Sequence, residues 1–160
     1  MFTRYNYEHP RDQYDLWSIP VGGGHPTRVL EDLGYDPSYS PDGTTILYQR
    51  VETWFEGHCA SDYGVGWVND ADGRHARRLV PEAAEQLRGV SATGGWPPDG
   101  TRIAYTENLV PPDGCAFPEP RWGAYVMDVA SGDRALIAFG RPIDCVNGHT
   151  LLIQARRGGG

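Results

Sequence analysis

The stretch "YSPDGTTILY", Tyr39 to Tyr48, returns as "WPPDGTRIAY", Trp96 to Tyr105. A turn that recurs with its flanks intact marks a repeat, in which each copy is one unit that buries its apolar face on the next. Each "PDG" has its own mechanism. Pro fixes φ, Asp bonds back to the local backbone, and Gly takes a positive φ. Ile46 and Tyr48 follow the first turn, Ile103 and Tyr105 the second. Alternation of β-branched and aromatic residues reads as a strand.

The rest of the unit can be read onward from the turn. An aromatic-bearing segment comes next: "LWSIP" with Trp17, "GWVND" with Trp67, "AYVMD" with Tyr125. A Gly turn follows ("VGGG", "ADG", "ASG"), then a short basic and apolar strand ("PTRVL", "HARRL", "DRALI"). The unit is four short antiparallel strands, A to D, with "PDG" between A and B. A degraded third return, "PIDCVNGHTLLIQ", keeps an Asn-Gly turn. From Asp42 to Asp99 is 57 residues, and from Asp99 to Asn147 is 48. Four-stranded units of roughly 40–50 residues fit propeller blades. No sustained helical period competes; only "PEAAEQL", Pro81 to Leu87, suits a turn or two of helix.

On these residues the chain resembles the WD-like repeats of TolB-type β-propellers. "YDPSYSPDGTTILYQR" and "GWVNDADGRHARRL" carry the likeness, with departures at Pro97 and Cys145 where the first copy has Ser40. The resemblance implies an all-β propeller of four-stranded blades, a tendency to bind proteins, and a periplasmic or extracellular setting. It implies no single activity. No charged-then-apolar signal segment follows Met1, so the setting stays open.

Aligned this way, residues 1–155 form one repeat domain and 156–160 an Arg/Gly tail. The strand order is B-C-D, A-B-C-D, A-B-C-D, A-B, about three blades with incomplete ends, whereas propellers have roughly four to eight. The expectation is that neighbouring copies complete the ends. Asp144, Leu151 and Ile153 would pair with Phe2, Tyr5, Leu16 and Trp17 of another chain, closing a ring of two chains or propagating as a filament. A fragment of a longer gene product is the alternative.

Charge and composition narrow the partners. The formal net charge is −7, against a nucleic-acid backbone partner. All 14 positive side chains are Arg, which codon bias explains more readily than selection for bidentate pairing. No apolar run approaches the roughly 20 residues of a membrane helix.

The B–C segments are the long ones, and long loops on a rigid scaffold commonly carry binding. Trp54, Phe55, His58, Tyr63, Phe117 and Trp122 are their aromatic contact candidates. As a set they would suit another protein or peptide, or a sugar platform; for any single one, packing over its own blade is the readier explanation. Cys59 and Cys115 occupy matching loops, so a disulfide between them is geometrically allowed, with Cys145 left unpaired. His58 beside Cys59 lacks nearby ligands for a metal, and Glu8, His9 and Asp12 read as a solvated loop. Glu52, Glu56 and Glu107 are placed in loop mouths, where a hydrolytic carboxylate pair would need a defined separation. There is no G-x-S-x-G, P-loop, dinucleotide Gly pattern or H-E-x-x-H. The expectation is a non-enzymatic, self-assembling structural protein without cofactor or metal. A peptide-binding propeller and a carbohydrate-binding or hydrolytic one are the alternatives.

Overall fold

The structure is a computed structural model and describes residues 2–5, 14–33, 35–56, 59–80, 90–109, 121–147 and 150–154. Thirteen strands lie in the described residues, and all pair antiparallel. The first sheet holds β1 (Phe2–Tyr5), β2 (Tyr14–Ser18) and β3 (Thr27–Leu33). The second holds β4 (Tyr35–Tyr39), β5 (Thr45–Glu56), β6 (Cys59–Asp70) and β7 (Arg77–Arg78). The third holds β8 (Val90–Gly95), β9 (Arg102–Asn108), β10 (Trp122–Asp128) and β11 (Arg134–Phe139). The fourth is a pair, β12 (Arg141–Asn147) and β13 (Thr150–Gln154).

Local chemistry builds the hairpins. At the first "PDG" turn the Gly43 N–H donates to the Ser40 carbonyl at 2.8 Å. Asp42 Oδ1 accepts from the Ser40 hydroxyl at 2.6 Å and from the Thr44 N–H at 3.0 Å. Gly43 sits at φ 72°, a conformation that costs a side-chain-bearing residue energy. The second turn repeats the pattern, with Gly100 N–H on the Pro97 carbonyl at 3.0 Å and Thr101 N–H on Asp99 Oδ1 at 3.1 Å. The two turns lie side by side: a Cβ on Gly100 would come within 3.4 Å of Pro41. Trp96 also reaches across, its Nε1–H donating to the Ser38 carbonyl at 3.4 Å.

The core lies between sheets. Ile46, Leu47 and Tyr48 are consecutive on β5, and all three are buried. Ile46 and Tyr48 pack with Leu16 of the first sheet. Leu47 points the other way, with Val68, and packs with Ile103, Tyr105 and Met127 of the third. The second sheet is therefore covered on both faces, and its central strands read as continuous apolar runs rather than strict alternation. The fourth sheet lies against the third through β12.

The expected propeller, about three four-stranded blades with incomplete ends, is corrected by this topology. Among the described residues the strands form separate, open antiparallel sheets, and no hydrogen-bonded ladder joins one to the next. The first sheet, of three strands, and the last, of two, remain distinct rather than merging into a ring. Turn residues specify hairpins locally, whereas closure is a long-range property that they do not encode. What holds is the all-β class. Among the described residues no helix is long and apolar enough to cross a membrane.

A second correction concerns the segment Val51 to Gly66. Its sequence reads as a long B–C loop; in the structure β5 and β6 run on as one ladder out to Glu56 opposite Cys59. Pro81–Leu87 lies outside the described residues.

Two outcomes follow from the packing and the turn. Leu47→Ala should lower the unfolding free energy in urea by about 3 kcal/mol, within the usual range for a buried Leu. A loss below about 1 kcal/mol would contradict burial on both faces. Asp42 is held below its ordinary pKa first by the Ser40 hydroxyl and then by the Thr44 N–H. A carboxyl depressed in the folded state stabilises above its unfolded pKa, near 3.9, and loses that contribution as pH falls through the lower folded value. The difference in Tm between the native chain and Asp42→Asn should thus hold steady from about pH 7 to 5 and narrow below about pH 4. A gap that widens in acid would show the sign to be wrong.

Candidate functional site

In the second and third sheets the C strand carries its aromatic beneath an arginine from the neighbouring D strand. Trp67 on β6 is in register with Arg78 on β7, whose Cζ lies 5.8 Å from the ring centroid. Tyr125 on β10 lies under Arg134 of β11 at 5.7 Å. In the first sheet Trp17 is in register with Arg28. A carboxylate two strands from the arginine closes each of the two later clusters. Arg78 Nη2 donates to Glu52 Oε2 at 2.5 Å, and Arg134 Nη1 donates to Glu107 Oε1. The guanidinium thereby ties three strands together, by charge at one end and by cation–π attraction along its face.

The third-sheet cluster is the more deeply enclosed. Glu107 is 1% exposed. The Tyr105 hydroxyl donates to Glu107 Oε1 at 3.2 Å, and the Tyr105 and Tyr125 rings stack at 5.7 Å. Burial pushes the Tyr105 phenol well above its ordinary pKa, so it remains a neutral donor at physiological pH. Burial likewise raises Tyr48, with Arg50 opposing. These groups are committed to one another. Their arrangement is that of a structural clamp rather than of a free acid and base.

The carboxylates expected in loop mouths lie elsewhere. Glu52 and Glu56 belong to β5, and Glu107 is enclosed on β9. Of the contact candidates, Trp54, Phe55 and Tyr63 fall on the β5–β6 ladder, in register with Ser61, Ala60 and Glu52. Trp122 opens β10 with the Arg141 guanidinium 4.1 Å from its ring centroid. His58 and Phe117 lie outside the described residues. Cys59 opens β6 opposite Glu56, and Cys145 is on β12 opposite Leu151. Cys115 lies outside the described residues, and with it the expected disulfide.

The residues expected to pair between chains have partners within this one. Phe2 and Tyr5 of β1 are in register with Trp17 and Tyr14 of β2. Leu16 is fully buried against Ile46 and Tyr48. Asp144, Leu151 and Ile153 are in register with Leu152, Cys145 and Pro142 inside the fourth sheet.

The open end of the third sheet is the candidate site that remains. β11 is its outer strand. Gly123 of β10 is in register with Phe139, and the Gly140 N–H donates to the Trp122 carbonyl at 2.9 Å. Arg121 stands over Phe139, with Cζ 4.5 Å from the ring centroid, beside the Arg141–Trp122 pair. Gly140 has φ 134°, and a Cβ there would meet the Gln154 carbonyl oxygen at 2.7 Å, so the strand end presses directly on β13. Sequence inspection found Trp122 but missed the arginines. The signal was present in "RWG" and "GRP", one Arg directly before the aromatic and another directly after the Gly that ends the paired strand.

In comparison with known proteins, no family model matches this chain, and no curated protein matches it in sequence. Among solved structures it is similar to an acylaminoacyl peptidase of Pyrococcus horikoshii. The TM-score is 0.54 at 18% identity, over 86% of this chain and 22% of that one. This likeness shows the fold alone: an all-β chain corresponding to about a fifth of a much longer peptidase. It overturns the TolB-type assignment: the likeness found is a distant, partial one to a peptidase structure, not to a TolB-type propeller. Nothing in the topology or the comparisons supports self-assembly of propellers into rings or filaments.

Removing the enclosed carboxylate tests the clamp. Glu107→Gln leaves Arg134 without its countercharge, though that side chain keeps a quarter of its surface in water. The expected loss is about 2 kcal/mol in chemical denaturation, below the roughly 3–5 for fully buried pairs. Glu31→Gln, at the exposed pair with Arg28, should cost under about 0.5 kcal/mol. Equal losses would show that enclosure contributes nothing.

Proposed function

We propose that this chain is a non-catalytic, all-β module of a peptidase-type protein, a scaffold that presents or screens peptide for a hydrolytic domain. The observation that carries the reading is the lopsided structural likeness: most of this chain against a fifth of a peptidase. Two features support it. The whole sequence lacks the G-x-S-x-G pattern of an α/β-hydrolase nucleophile. The carboxylates Glu52 and Glu107 are engaged by Arg78 and Arg134 instead of facing a substrate.

The test is a hydrolysis assay on the purified chain with acetyl-aminoacyl p-nitroanilides. The expected result is release at the buffer rate, unchanged by a serine-directed phosphonate. Turnover above buffer that the phosphonate abolishes would overturn the proposal.

A further inference from the structure

β11 is an outer strand whose edge is guarded by little beyond one bulge. Leu136, Ile137 and Phe139 are 44%, 55% and 55% exposed. Soluble sheets guard such edges with charge, Pro, bulges or a cover. Here the strand reads "RALIAF", and its one charge is drawn inward to Glu107. Its guard is a register break: Tyr125 faces Leu136 and Ala124 faces Ala138, so Ile137 is the extra residue.

At the Phe139 end the surroundings change sign. The chain as a whole is acidic, at −7. Yet Arg121 and Arg141 both stand at this end, each over an aromatic ring. Neither forms an ion pair with a carboxylate among the described residues. A guanidinium supported by a ring keeps planar N–H donors for an incoming carboxylate, which it can hold in bidentate geometry.

We propose that the β11 edge takes an extended acidic peptide as an added strand. The peptide's apolar side chains lie along Leu136, Ile137 and Phe139, and a carboxylate sits at the Arg121–Arg141 end. Main-chain hydrogen bonds supply affinity in this mode, and side chains supply choice. Charge selects the occupant. A second copy pairing through its own β11 brings no carboxylate, since "RALIAF" contains none. This inference stands apart from the module reading, because hydrolysis by the chain would leave it intact.

The experiment titrates the full chain against a fluorescein-labelled hexapeptide of alternating Glu and Val, read by fluorescence anisotropy. Saturable binding is expected. Replacing Glu by Gln in the peptide should weaken it about tenfold or more, a difference of roughly 1.4 kcal/mol. Arg121→Ala with Arg141→Ala should do the same, with circular dichroism confirming the fold. A third arm leaves the protein unaltered: N-methylation of every peptide residue removes the N–H groups of both edges and should abolish binding. The proposal is overturned by absence of saturable binding, by equal affinity for the Glu and Gln peptides, or by retained binding of the N-methylated peptide. A dimer that sediments unchanged in saturating peptide would also overturn it, showing a second copy on the edge.

Discussion

The fold rests on the second sheet being dry on both sides. Ile46 and Tyr48 press on Leu16, while Leu47, between them, presses on Ile103 and Tyr105. A strand's side chains alternate between faces, so three consecutive buried residues require a layer above and a layer below. The adjacent turns at Gly43 and Gly100 and the bond from Trp96 to Ser38 follow from this stacking. The third sheet repeats the turn of the second beside it.

The Arg clamps serve the same layering by a different force. The D strand of the second sheet is short: β7 pairs through only Arg77 and Arg78. A ladder of that length holds little by hydrogen bonds alone. Arg78 extends its reach to Trp67 and then to Glu52, so the strand is fixed by one long side chain across two neighbours. In the third sheet Arg134 has the same part, with Tyr125 and Glu107. The absence of Lys suits this use, because the planar guanidinium can stack and pair at once.

What could be read from the residues was whatever short-range chemistry dictates. Asp42 and Asp99 declare their turns because their carboxylates bond to backbone two residues on. The strands holding Trp17, Trp67 and Tyr125 show through aromatic and β-branched content. The β5–β6 extension was hidden. Its stretch "VETWFEGHCASDYGVG" mixes Glu, Gly, His and Asp, and what makes it a ladder is each half finding the other across the chain. The burial of Glu107 was hidden for a like reason, since Arg134 lies 27 residues away in sequence. How the sheets are arranged was least legible of all. The repeat specifies a unit but not the way units assemble, and the ring inferred from it is not what the topology holds.

The extended β5–β6 hairpin outruns its sheet. β4 accompanies β5 only as far as Gln49, and the last bond from the β7 side is Leu79 N–H to the Gly66 carbonyl. From Arg50 to Glu56 the pair continues without a flanking strand among the described residues, a reach of roughly 20 Å. Such a ribbon twists more strongly than a wide sheet. Among the described residues no strand pairs with either of its long sides, and Arg78, over Trp67, ties its base to the sheet through Glu52.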